Sequence, residues 1–151
     1  MTAAIHGETV VSDYDLFDEL EKDAKVDETN LDGEVLKTAY LQSKWMKRYI
    51  KLNSDYRAAK RKTAKVYLER QQYYLGTASD EVYAAEPLNR KVLKSEVSDW
   101  LDADEKVQEA REEEEILKDV TLAVEKFITT LNNRGMNINS AINYLKWKNG
   151  G

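Results

Sequence analysis

The chain has 151 residues, 34% of them charged, a net charge of −5 and a mean hydropathy of −0.69. A lone globule this polar buries only a thin core, so long helices that complete their burial in an oligomer are expected. Cysteine is absent and His6 is the single histidine, which excludes disulfides, thiolate chemistry and a zinc-type site; no metal and no cofactor are expected.

Residues 1–12 show no periodicity and read as an N-terminal arm carrying His6. They lack the basic and apolar regions of a secretory signal, and no apolar run in the chain is long enough to span a membrane, so an intracellular, soluble protein is expected. A short amphipathic helix is predicted over about Tyr14 to Ala24, with Leu16, Phe17 and Leu20 on one face. The stretch 26–34 is a turn, and Thr29 with Asp32 offers a capping box.

A long helix is predicted from about Asn30 to Leu75, broken by no proline, with Asn53-Ser54 as the place for a kink and Gly76 as its C-terminal stop. At 100° per residue, Leu31, Val35, Ala39, Trp45, Met46, Tyr49, Tyr56, Tyr67 and Tyr73 form a broad apolar arc. Lys37, Lys44, Arg48, Lys51 and Lys62 fall opposite, with Lys47 and Lys65 on the flank and Arg57, Lys60 and Arg61 elsewhere. Residues 77–90 read as a linker containing Pro87, the only proline. A shorter helix is predicted over about Lys91 to Leu101. Asp102 to Glu105 reads as a capping box opening a helix that ends near Asn133, with Gly135 beyond, and a last helix covers about Asn139 to Lys148. The fold class is therefore all-α, with long amphipathic helices and a homo-oligomeric assembly. Its regions are the arm (1–12), an N-terminal helical region (13–76), the linker (77–90) and a C-terminal self-association region (91–151).

Charge is sorted along this order. Residues 1–36 carry −9, residues 37–76 carry +9, residues 77–115 carry −8 and residues 116–151 carry +3. A basic helix with its cations gathered on one side suits a polyanion lying along it, and single-stranded nucleic acid is the first candidate. Lys44, Lys47, Arg48, Lys51, Lys60, Arg61, Lys62, Lys65 and Arg70 are the candidate phosphate contacts. Tyr73 and Tyr74 stand at the helix end beside Arg70 as candidates for stacking on bases, whereas Trp45, Tyr49, Tyr56 and Tyr67 share the apolar arc and are expected to pack. Leu117, Val120, Val124, Phe127 and Leu131 are spaced three and four apart, and with Ile116 they read either as a self-association seam or as an internal core face. No phosphate loop, dinucleotide motif or nucleophile–base pair exists beyond what His6 alone could serve, and pairs such as Asp102 and Asp104 read as helix starts, so no enzyme is expected. An adaptor whose basic helix binds acidic protein surfaces is the competing reading.

An ordered series of segments carries a resemblance: 18–31 (DELEKDAKVDETNL), 43–48 (SKWMKR), 73–76 (YYLG), 94–97 (KSEV), 101–107 (LDADEKV) and 132–138 (NNRGMNI). Together they resemble the UvsY family, recombination mediators of T-even-like bacteriophages. The resemblance implies a non-enzymatic protein of the host-cell cytoplasm that binds single-stranded DNA. It implies that the protein helps load the phage recombinase onto strands coated by the phage single-strand binding protein, in recombination and in recombination-dependent replication and repair. It also implies a ring-like homo-oligomer of about six to eight subunits, assembled through the C-terminal region. Arg70 falls where the family places a basic DNA contact. A second family base corresponds here to Leu68, for which Lys60, Arg61, Lys62 and Lys65 stand as compensation.

Overall fold

The computed structural model describes residues 13–150, so the N-terminal arm with His6 lies outside the described residues. Every regular element among them is a helix: α1 (Asp13–Ala24), α2 (Leu31–Leu75), α3 (Asp80–Ala85), a 3-10 turn (Lys94–Glu96), α4 (Val97–Asp102) and α5 (Glu105–Lys148). The described residues form two compact units, one within residues 13–49 and 123–150 and the other Ile50–Leu122.

Local chemistry sets the helix ends. Asp27 accepts hydrogen bonds from the backbone N–H and hydroxyl of Thr29, both at Oδ1. Thr29 is thereby occupied, and the expected capping box does not form. Asn30 caps α2 instead, accepting from the Gly33 N–H at 3.3 Å. At the other end Gly76 adopts φ 77°. Its N–H donates to Tyr73 O and that of Thr77 to Gln72 O, the paired bonds that close a helix on a left-handed residue. Asp104, not Asp102, caps α5: its Oδ1 accepts from the Val107 N–H at 3.1 Å.

Three expectations about elements are corrected. Residues 80–85, read as linker, form α3. The helix expected from Lys91 begins only at the 3-10 turn. Leu88 and Val92 pack on the core there, which fits an extended backbone after Pro87. The helix expected to stop near Asn133 runs on to Lys148. Glycine inside a helix costs only about 1 kcal/mol relative to alanine, and the buried row Leu131, Arg134, Ile138 continues past Gly135.

In the first unit α1 lies against α2. Leu16 is buried and Leu20 half-buried, but Phe17 is exposed. Leu41, Trp45, Val124, Phe127 and Leu131 are buried, and the Trp45 indole meets the Phe127 ring edge-on at 5.1 Å. Glu34 and Arg134 form a buried ion pair, and Arg134 also donates to Lys25 O at 3.4 Å. In the second unit Tyr73, Tyr74, Val97, Leu101 and Val107 make the core, with Val66, Tyr67, Tyr83 and Trp100 packed around it. The Thr63 hydroxyl donates to Ala110 O at 3.0 Å, which ties α2 to α5 there.

Along α2 the inward residues recur every seventh position: Thr38, Trp45, Leu52, Ala59, Val66 and Tyr73 are buried or half-buried. An apolar line with this repeat drifts about 20° per heptad from a straight 100° arc. Ala39 and Met46, placed on the apolar arc by the straight projection, each follow an inward residue by one position, about 100° round the helix, and are exposed.

Candidate nucleic-acid interface

Carboxylates folded against α2 decide which of its cations are left unpaired. In the first unit Lys44 Nζ lies 2.7 Å from Glu19 Oε1 and 2.6 Å from Asp23 Oδ2. Arg48 Nη1 lies 2.5 Å from Glu19 Oε2. Trp45 Nε1 donates to the same Asp23 oxygen at 2.9 Å. Lysine, arginine and indole thus converge on two carboxylates of α1. The hydrogen bond from Lys44 holds the Glu19 carboxyl below its ordinary range. Burial would push the Asp23 carboxyl up, but hydrogen bonds from Lys44 and Trp45 more than reverse it. Lys44 and Arg48 therefore dock α1 onto α2 rather than face solvent as a free pair. Lys47, between them in sequence, is exposed and has no ion pair among the described residues.

In the second unit Arg70 is only 7% exposed. Its Nε donates to Asp104 Oδ2 at 2.6 Å, and Nη1 and Nη2 donate to the two oxygens of Glu86 at 3.1 and 2.9 Å. The Tyr74 hydroxyl donates to Asp104 Oδ2 at 2.7 Å, and the guanidinium lies 4.1 Å from the centre of the Tyr73 ring. Burial alone would lower the Arg70 pKa; the hydrogen bonds to Glu86, Asp104 and Tyr74 drive it up instead. Burial would push the Asp104 carboxyl up, but hydrogen bonds from Tyr74, Arg70 and the Val107 N–H more than reverse it. Tyr73 and Tyr74 meet edge-on at 5.1 Å, and Tyr73 stacks on Tyr83 at 5.5 Å. The expected basic contact and its two stacking rings are thus members of one buried network. A signal was available: Arg70 stands two heptads after Tyr56, on the inward side of α2.

The remaining cations of α2 in this unit divide. Lys62 pairs with Glu113 of α5. Lys51 and Lys65 make exposed one-turn pairs with Asp55 at 3.3 Å and Glu69 at 3.8 Å, contacts worth little in water. Arg57, Lys60 and Arg61 are exposed and have no ion pair or hydrogen bond among the described residues. They form one helical turn of unneutralised charge beside Lys65. Arg57, which the straight projection placed with Lys60 and Arg61 but which was not among the candidate contacts, belongs with them.

The three-and-four-spaced row of α5 turns into the chain's own interior. Val120, Val124, Phe127 and Leu131 are buried within one chain, Leu117 is half-buried, and only Ile116 is exposed. In this fold they are core. The large exposed apolar side chains at the C-terminal end are Met136, Tyr144, Leu145 and Trp147, the last 74% exposed. Among the described residues no helix is long and apolar enough to cross a membrane.

A family model described as "Recombination, repair and ssDNA binding protein UvsY" matches residues 19–151. The chain belongs to the UvsY family. Its fold is also that of the bacteriophage T4 recombination mediator protein UvsY. The type II lattice crystal structure of that protein superposes with a TM-score of 0.77 at 23% identity, covering 91% of this chain and 97% of the phage T4 chain. The type I lattice structure gives 0.76 at 22% identity, covering 89% and 98%. No curated protein sequence matches the chain significantly. Membership in the UvsY family agrees with the resemblance carried by the segments from 18 to 138, and the similarity to the phage T4 structures extends over nearly the whole length of both chains.

Proposed function

We propose that this UvsY-family protein is a recombination mediator that binds single-stranded DNA and catalyses no reaction itself. The observation that carries the reading is the exposed, unneutralised turn Arg57, Lys60 and Arg61, bordered by Lys51 and Lys65 whose only partners are weak surface carboxylates. Cations of such a surface displace the counterions condensed on the strand's phosphates, so binding is driven by charge and falls steeply with salt. It carries little sequence preference, because no base-reading group accompanies the cations. Lys44, Arg48, Lys62, Arg70, Tyr73 and Tyr74 leave the proposed contact set, since each already serves the fold.

Family membership supports the rest of the role. The protein loads the phage recombinase onto strands coated by the phage single-strand binding protein. It does so as a homo-oligomer whose copies join through the exposed apolar side chains Met136, Tyr144 and Trp147. A strand held by several copies binds far more tightly than by one, because each further contact is intramolecular. Tension along a strand held this way weakens the grip of a coating protein and opens an entry point for the recombinase.

The test is a salt-titrated binding measurement on an unstructured labelled oligonucleotide. Each phosphate contact on a single strand contributes about 0.7 to the slope of log affinity against log salt, so Lys60→Ala, Arg61→Ala and Lys65→Ala together remove about 2 from it. Wild-type protein that fails to bind at low salt refutes the proposal.

A further inference from the structure

The second unit carries another group of unpaired cations, on the stretch between α3 and α4. Arg90, Lys91 and Lys94 are exposed, and none has an ion pair among the described residues. Most other cations off α2 in that unit are engaged: Lys106 holds Glu86 at 2.8 Å and Arg111 holds Asp102 at 2.9 Å. The stretch is not loose. Leu88 and Val92 pack against the aromatic core, and between these two pins Arg90 and Lys91 point to solvent. The Arg90 guanidinium lies over the Trp100 indole, 4.7 Å from its centre. Stacking of this kind removes rotamer freedom before any ligand arrives, while the edge of the guanidinium fork keeps its N–H donors free.

Its position on the unit gives the group a meaning. The Trp100 ring lies 5.9 Å from that of Tyr74. Lys60, Tyr67 and Tyr74 are seven residues apart and share one flank of α2. On that flank Arg111 sits over Tyr67 at 5.8 Å. Lys60, Arg111 and Arg90 thus follow one another toward the C-terminal end of α2, over about 21 Å at 1.5 Å per residue. The other flank has the opposite character. A groove of about 760 Å³ there is lined by Glu69, Glu86, Glu109 and Glu113, against which Lys62, Arg70 and Lys106 are all drawn into pairs with Glu113 or Glu86. A polyanion leaving Lys60 meets no unpaired cation in that groove, whereas toward Arg90 it reaches a cation without a counter-charge, past Arg111 which Asp102 already holds.

We infer that Arg90, laid on Trp100, and Lys91 form a second phosphate contact for the strand that Arg57, Lys60 and Arg61 engage. This rests on the proposed binding of single-stranded DNA. The contact is to phosphate rather than to a base: Arg90 covers one face of Trp100, and the indole is packed toward Tyr74. Two contacts at opposite ends of the track also set a minimum length for a tightly held oligonucleotide.

The experiment uses the full chain, unstructured oligonucleotides of graded length and a salt series. Arg90→Ala with Lys91→Ala is expected to lower the salt slope by about 1.4, as is Lys60→Ala with Arg61→Ala, and the two losses add. The loop variant loses affinity for long oligonucleotides and leaves it unchanged for those too short to span both contacts. A loop variant with wild-type slope, while the helix variant loses its share, overturns the inference and leaves the proposed function standing. Absence of wild-type binding overturns both. If the alanine variant unfolds, amine-reactive footprinting of the wild type replaces it. Lys91 is expected to be protected by a long oligonucleotide, and equal labelling with and without DNA overturns the contact.

Discussion

Replacing Arg70 by alanine separates a structural arginine from a DNA-binding one. The side chain is buried, and Asp104, at 4% side-chain exposure, keeps only the Tyr74 hydroxyl and the Val107 N–H once the guanidinium is gone. Removing one partner of a buried ion pair costs about 3–5 kcal/mol, because the other charge stays behind unneutralised. The share belonging to Glu86 is smaller, since that carboxylate is 42% exposed and water screens it. Domains are stable by about 5–15 kcal/mol, so the loss is a large part of the whole. With a urea dependence of about 2 kcal/mol per molar, the unfolding midpoint falls by about 2 M. The assay is urea unfolding followed by helical circular dichroism, with oligonucleotide binding measured in parallel under conditions where the variant stays folded. Arg70→Ala combined with Asp104→Asn is expected to regain part of the loss, since the amide needs no counter-charge and still caps α5. An unchanged midpoint with a clear fall in DNA affinity would refute this reasoning and return Arg70 to the strand.

Lys44→Ala with Arg48→Ala is expected to loosen α1, because hydrogen bonds involving charged groups contribute about 1.5–3 kcal/mol each. Amide exchange should quicken across 13–24 while the DNA salt slope stays put; the reverse pattern would put these two residues in the interface. Acid should unfold the protein through its depressed carboxyls. Asp104, Asp23, Glu19 and Glu86 titrate lower in the fold than in the open chain. Their contribution is therefore present above the ordinary carboxyl range, about 4, and is lost as pH falls through the depressed values. The urea midpoint should drop on acidification, and less so in Asp104→Asn; a flat profile in the wild type would contradict the network. Gly135→Ala should stabilise by about 0.5–1 kcal/mol, since a Cβ there meets nothing within 4 Å and its φ is not positive. Thermal melting measures it, and a lowered midpoint would mean that the site needs glycine for another reason.

Much of the architecture was legible in the chain. The periodic runs bounded by Asn30 and Gly76 located α2 within a residue at its start and at its end. α1 was equally readable from Leu16 and Leu20. The short α3 was not, because six residues ending just before Pro87 carry too little periodicity to stand out from a linker. Gly135 misled because local propensity reads it as a stop, whereas the burial of Ile138 carries the helix on. The candidate interface was half legible. Its location on α2 followed from composition, but the particular cations did not, because the carboxylates that pair with Lys44, Arg48 and Arg70 come from other elements and spacing along α2 does not show them.

The sequence alone determined that the protein is helical, that its charge is sorted into blocks and that its cations crowd one long helix. These are properties of composition and of short-range spacing, which every conformation of the chain shares. Tertiary structure decided which of those cations are free. Glu19 and Asp23 reach Lys44 from another helix, and Asp104 reaches Arg70 across more than thirty residues of chain. A charge is available to a phosphate only when no carboxylate has been folded against it, and that neighbour is chosen by packing.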